Sequence, residues 1–385
     1  MYIQKELRDR ASEICRLIFD FDGVLVQTFS SFRKNIVKVV NYYFKDILGL
    51  DEECEAVSLS DVNKFKDTGL FNNDWYLTYA LTLYLLASLF RKLKLKGLME
   101  DFKLHISTLD FTNLEDYVLK LRAAGNKLRS YGIRLEDIVK EEGSKYKMEN
   151  FLSRCSSGDP EAVRVTLKDF FPEPALENVA LADKMALYRK EGSDLLRRLF
   201  EESYLGAELF SLFYGEEPYF KFEESFMAKE KFIPTMNTLK TLYDKTGKFS
   251  IYSERSRAQA LYHLERNSAL EFFEDEWLIF FDDIAECEKT LYEKCGRKLS
   301  LGKPNPTLFI KLLEKCSCDG LVGYIGDSVS DLLTVVNARG KGIKNICFIG
   351  VLSSAEDKES LQMRYVELGA DIIINDVNDL PSIIG

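Results

Sequence analysis

The chain is poor in the residues that build metal–thiolate and imidazole sites. It has two histidines, His105 and His263, in 385 residues, and its eight cysteines form no C-x-x-C pair. A structural zinc site needs clustered Cys and His at short spacing, so that class is excluded. Positive charge is also in deficit: 52 Lys and Arg against 62 Asp and Glu give a net charge of -10 and a pI near 5.1. Such a surface argues against nucleic acid or an anionic membrane as the main partner, while leaving room for a local basic pocket. Long apolar runs are absent. The opening "MYIQKELRDRASEI" is charged throughout and cannot serve as a signal-peptide core. The uncharged stretch Trp75–Phe90 is shorter than the ~20 apolar residues of a membrane span, and it carries three tyrosines and two threonines. It is expected to be a buried helix. Cys15 and Cys347 sit in apolar runs, and the cysteines are read as buried reduced thiols of a cytoplasmic protein.

What is present changes character along the chain, without repeats or low-complexity tracts. From about residue 30 to 230, apolar residues recur at helical spacing, as in the stripe Phe32, Ile36, Val39, Val40, Tyr43 and Ile47. After Pro234, strand-like and helix-like segments alternate. "KFSIYS" (248–253), "EWLIFF" (276–281), "LVGYIG" (321–326), "NICFIGV" (345–351) and "ADIIIND" (370–376) read as strands. Amphipathic helices are read from 257, 306, 330 and 359. Continuous apolar strands alternating with helices imply a parallel sheet covered on both faces. One such strand, Ile14–Phe19, stands alone before the helical block. The expected fold is therefore α/β, a Rossmann-like doubly wound parallel sheet with a large, mostly α-helical cap inserted after the first strand. The core is expected to comprise 1–28 and 231–385, and the cap 29–230. Insertion through a surface loop is tolerated because closure entropy grows slowly with length.

In open parallel sheets, ligands bind beyond the carboxyl ends of the strands. Asp20 and Asp22 follow the first strand, Ser253 follows 248–252, and Asp327 and Asp331 follow 321–326; Lys303 precedes the helix begun by Pro306. Each has an ordinary explanation: loop solvation, a helix cap, a surface lysine. Their joint placement is not ordinary. Carboxylates converging on one crevice repel unless a cation holds them, and an all-oxygen set favours a hard ion, Mg²⁺ first. Lys303 and the Ser253 hydroxyl would offer donors to an anion. The backbone around Phe21, Asp22 and Gly23 would add to that phosphate-binding cradle, Gly23 allowing close approach. Such a set suits a phosphoryl group.

The segments "FDFDGV" (19–24), "SIYS" (250–253), "GKPNP" (302–306) and "GDSVSD" (326–331) resemble the four motifs of the haloacid dehalogenase superfamily, subclass with a helical C1 cap, phosphoglycolate-phosphatase-like. The resemblance implies a phosphatase in which Asp20 becomes an aspartyl phosphate. Asp22 would protonate the leaving alcohol and then activate water. It implies Mg²⁺ held by Asp20, the Asp22 carbonyl and Asp327, with Asp331 behind or bridged by water, and Ser253 and Lys303 on the phosphoryl oxygens. Asp22 favours phosphomonoester hydrolysis of a small phosphorylated metabolite; a sugar phosphomutase, or a non-catalytic binding protein of the same fold, are the alternatives.

Two departures stand out. Glu254 and Arg255 occupy positions where the superfamily commonly begins with asparagine. Glu254 must point away from a phosphate, pair with Arg255, or contact the substrate, and both Glu254 and Arg255 are candidates for substrate specificity. The cap is also larger than the compact four-helix form. Substrate choice is expected there, first in 65–81, where Lys66, Asn72, Asn73 and Asp74 surround Gly69. Asn73 or Asp74 serving as a helix N-cap is the competing reading.

Overall fold

The computed structural model describes residues 2–4, 10–50, 53–71, 73–107, 109, 111–140, 144–171, 175–187, 195–296, 299–316, 318–355 and 357–384. The chain divides into two compact units, Met1–Phe29 with Glu230–Gly385, and Ser30–Lys229.

The first unit is built on a seven-stranded sheet. Its strands are β1 (Tyr2–Ile3), β2 (Ile14–Phe19), β5 (Phe249–Tyr252), β6 (Phe273–Ile279), β7 (Leu321–Gly326), β8 (Ile346–Val351) and β9 (Ile372–Ile374). Two short strands, β3 (Val26–Gln27) and β4 (Lys231–Phe232), pair antiparallel apart from it. The order is β1-β9-β8-β7-β2-β5-β6, parallel except for β1 at one edge. The α/β reading thus holds, with an antiparallel edge strand that two residues near the N-terminus gave no pattern to reveal.

β2 is an interior strand, between β7 and β5, and its side chains explain why. Leu17, Ile18 and Phe19 are fully buried. Leu17 and Phe19 enter the apolar layer with Phe249 and Ile251; Ile18 enters the opposite layer with Tyr324 and Leu332. Burying each such side chain contributes about 1.5–3 kcal/mol. A strand apolar on both faces is stable only with helices on both sides.

Two sequence expectations need correction here. "EWLIFF" does not stay extended to 281: β6 ends at Ile279, and a helix runs Phe281–Cys295. Asp283 starts it by accepting the Phe280 N–H at 2.8 Å. That helix packs only a narrow stripe, Ile284, Cys287 and Leu291, so its charged remainder obscured the pattern. The cysteines are not all reduced: Cys15 and Cys318 form a disulfide across a sequence separation of 303. Pairing of β2 with β7 brings these positions together, which spacing along the chain could not show.

The second unit is helical. Its central helix, Asp74–Leu95, is buried without a break from Leu77 to Phe90. It packs against the helices Ala175–Ala186, Leu135–Val139 and Pro160–Phe170. A helix apolar all round needs such a sheath. Among the described residues, no helix is long and apolar enough to cross a membrane.

Candidate active site

Each strand of the central trio ends in a residue singled out from the sequence. β2 lies between β7 and β5, so Asp20, Asp327 and Ser253 leave the sheet at the same edge. The Asp20 N–H donates to the Ile325 carbonyl at 2.8 Å, which carries the ladder one residue past β2 and holds the Asp20 backbone. Ser253 is buried; its N–H donates to Ile279 O, and its hydroxyl accepts the Arg255 N–H at 3.3 Å.

Lys303 ties the site together. Its Nζ lies 2.7 Å from Asp20 Oδ1 and 2.7 Å from Asp331 Oδ1. It sits between the rings of Tyr252 and Tyr324, 5.5 and 5.7 Å from their centroids. Burial disfavours its charge, but Asp20, Asp331 and Glu254 outweigh that and hold it protonated.

Asp331 is fully buried and saturated with donors. Oδ1 accepts from Tyr324 Oη at 2.6 Å as well as from Lys303. Oδ2 accepts from the Ser328 hydroxyl at 2.6 Å and the Ser328 N–H at 3.1 Å. Ser328 and Asp331 thereby form the capping box of the helix Val329–Gly340. Asp331 orients Lys303 and starts a helix; its oxygens are occupied without any ion. From the sequence Ser328 was readable as a helix cap, with Asp327 the other candidate, and Ser328 is the N-cap; Tyr324 was not singled out. The only signal for Tyr324 was a hydroxyl inside an apolar strand next to a motif.

Asp20, Asp327 and Asp331 each bring an oxygen within 4.8 Å of the others. Two like charges 4 Å apart repel by about 4 kcal/mol at an effective dielectric of about 20. One lysine cannot offset this. Burial first, then Asp331, push the Asp20 carboxyl up to about 7 despite Lys303. Burial, then Asp20 and Asp331, hold Asp327 well above the usual carboxylate range. Asp20 and Asp327 are thus carboxylates poorly compensated by protein charge, and they fit a divalent cation.

Gly23 makes room for this crowding. Its φ is +76°, and a Cβ there would lie 1.7 Å from Asp327 Oδ2. Its N–H donates to Val26 O at 2.8 Å, so its part in the cradle is shape rather than a donor. Gly23→Ala is expected to cost about 1–2 kcal/mol in backbone strain and to displace Asp327. Calorimetric titration with Mg²⁺ should show affinity at least about tenfold weaker; unchanged affinity would refute the tight fit.

The two unusual residues after Ser253 separate. Glu254 Oε1 accepts the Lys303 N–H at 2.9 Å, and a Cβ on Gly302 would meet it at 2.2 Å. Glu254 therefore braces the Lys303 loop and does not pair with Arg255. Desolvation raises its pKa, while the Lys303 charge opposes the rise. Arg255 instead has a buried side chain, with Nε 3.0 Å from Asp22 Oδ1 and Nη2 2.8 Å from Glu230 Oε2. Phe21 is buried beside it, its ring 5.4 Å from the guanidinium carbon. Glu230 and its neighbour His263, 3.1 Å away, carried no motif and were missed.

In the helical unit, Asn73 is spent on a cap: its side chain accepts the Tyr76 N–H at 3.0 Å. Asp74 pairs with Lys66 at 2.7 Å. Asn72 lies outside the described residues.

No protein-family model and no curated protein matches the sequence. Solved structures do. A Northeast Structural Genomics Consortium target determined by X-ray aligns with a TM-score of 0.63 at 19% identity, covering 96% of this chain and 98% of that one. Phosphatase Tt82 from Thermococcus thioreducens aligns at 0.45 and 17%, covering 91% and 98%. A HAD-superfamily hydrolase, subfamily IA, variant 1, from Geobacter sulfurreducens aligns at 0.37 and 12%, covering 98% and 99%. At these identities the first alignment speaks for the fold alone. The four motif segments that resemble the haloacid dehalogenase superfamily in sequence fall at strand ends or loops of this sheet.

Proposed function

We propose that the protein is a Mg²⁺-dependent phosphomonoester hydrolase acting on a small phosphorylated metabolite. The observation that carries this reading is the Lys303 ammonium bridging Asp20 and Asp331 at 2.7 Å each, with Asp327 in the same cluster.

Asp20 and Asp327, with the Asp22 carbonyl, would hold the cation, which would neutralise phosphoryl oxygens and favour the ionised form of Asp20. Asp20 attacks phosphorus, and the bond from phosphorus to the leaving oxygen breaks. Asp22 gives that oxygen its proton. Asp22 then takes a proton from water; the water oxygen attacks the aspartyl phosphate, and inorganic phosphate leaves with Asp20 restored. Lys303 and Ser253 hold phosphoryl oxygens, and Asp331, Tyr324 and Glu254 keep Lys303 in place.

The test is phosphate release from a panel of phosphorylated metabolites and an aryl phosphate, with Mg²⁺ or with chelator. Release only with the metal supports the reading. Isomerisation of a sugar phosphate without release would mark a mutase. Silence on every substrate, with no Mg²⁺ binding, would mark a non-catalytic protein.

The carboxylates also imply a pH effect on the metal-free protein. Folded Asp20 keeps its proton up to about pH 7, whereas its ordinary value is 3.8. Between these values the folded state binds more protons than the unfolded state, so stability falls as pH rises through that window. Thermal melts in chelator should decline from pH 5 to pH 7.5, and Mg²⁺ should offset the decline. A metal-free melting temperature that rises over this range would contradict the crowding.

A further inference from the structure

Arg255 is the residue whose position the mechanism above leaves unexplained. Its guanidinium is withdrawn from solvent, its side chain only 1% exposed, and so is the Glu230 carboxylate beside it. Burying an ion pair costs much of what the pair returns, so such a group is retained against a desolvation penalty. The return here is geometric. Arginine is a rigid planar fork, and this one spans two carboxylates: Nε meets Asp22 Oδ1 at 3.0 Å, and Nη2 meets Glu230 Oε2 at 2.8 Å.

The fork is fixed from several sides. The Arg255 backbone N–H donates to Ser253 Oγ, and the Phe281 N–H donates to the Arg255 carbonyl at 3.0 Å. His263, from the helix Arg257–Arg266, sets Nε2 3.1 Å from the same Glu230 oxygen. The Phe21 ring lies against the guanidinium and 6.2 Å from the His263 ring. Segments before β4, after β5 and on one helix thus meet around Glu230 Oε2, and from this cluster Arg255 Nε reaches Asp22 after β2.

We propose that Arg255, anchored by Glu230, is a positioning residue that sets the rotamer of Asp22 for proton transfer to and from the leaving oxygen. This rests on the phosphatase reading above. The arrangement assigns Arg255 to the acid–base step. With Oδ1 drawn to the guanidinium by charge rather than by a well-aligned hydrogen bond, the Asp22 carboxyl would keep its other oxygen for the reacting group. His263 acts one step further back, by holding Glu230.

Leaving-group dependence tests this. An alkyl phosphate needs a proton delivered to its leaving oxygen; an aryl phosphate with an acidic phenol needs it far less. Arg255→Gln should lower kcat on the alkyl substrate by about 10²-fold and on the aryl substrate by less than about tenfold, with KM little changed. In an Asp22→Asn background the same substitution should have no further effect, because it acts through Asp22. Equal losses on both substrates, or a full additional loss in the Asp22→Asn background, would reduce Arg255 to a structural role and overturn the proposal. Should Arg255→Gln not fold, the pair Arg255→Gln with Glu230→Gln removes both buried charges together and must show the same leaving-group dependence. A wild-type protein inert on both substrates would remove the phosphatase reading and this inference with it.

Discussion

Asp20→Asn is expected to abolish phosphate release, lowering kcat by on the order of 10⁴ to 10⁶ while the protein stays folded. The amide cannot form the acyl phosphate, so the loss falls on the covalent step rather than on binding. The fold should tolerate the change. Asp20 is held through its backbone at the end of β2, and losing one of three crowded carboxylates relieves repulsion. Lys303 keeps Asp331 as a partner. The measurement is single-turnover phosphate release beside a melting curve. A variant that kept more than about a tenth of wild-type turnover would remove Asp20 as nucleophile.

Asp331→Ala is expected to have the largest effect on stability. It deletes a fully buried carboxylate that accepts from Lys303, Tyr324 and Ser328 and caps a helix. Breaking a buried pair from one side costs about 3–5 kcal/mol, since the remaining charge is left behind. The α/β unit should lose that much in metal-free buffer. A two-unit chain need not unfold in one step. Urea unfolding is therefore best followed through Trp277, which stands in β6, in a Trp75→Phe background. A change below about 1 kcal/mol would show that the cap and Lys303 find other support.

These two aspartates show what could and could not be read along the chain. Asp20 was legible because a strand apolar on both faces ended at two carboxylates and a glycine. Asp331 was legible as a member of the set, but not as its brace, because Tyr324 lies inside a strand whose other residues are apolar or glycine. The disulfide from Cys15 to Cys318 and the helix Phe281–Cys295 were hidden, one by distance along the chain, the other by a stripe too narrow to outweigh its charges. Asn73 illustrates a residue with two plausible uses, where only the bond from Tyr76 decided.

Hydrophobic periodicity depends on near neighbours, so the sequence alone determined the α/β class, the helical block and the strand ends that carry polar residues. Which of those polar residues meet depends on strand order and on loops folding back from hundreds of residues away. Only the tertiary structure decided that Lys303 bridges Asp20 and Asp331, that Glu254 braces its loop, and that Arg255 reaches Asp22 and Glu230. Ion pairs have no period along a chain; they exist only where packing brings opposite charges together and shuts water out.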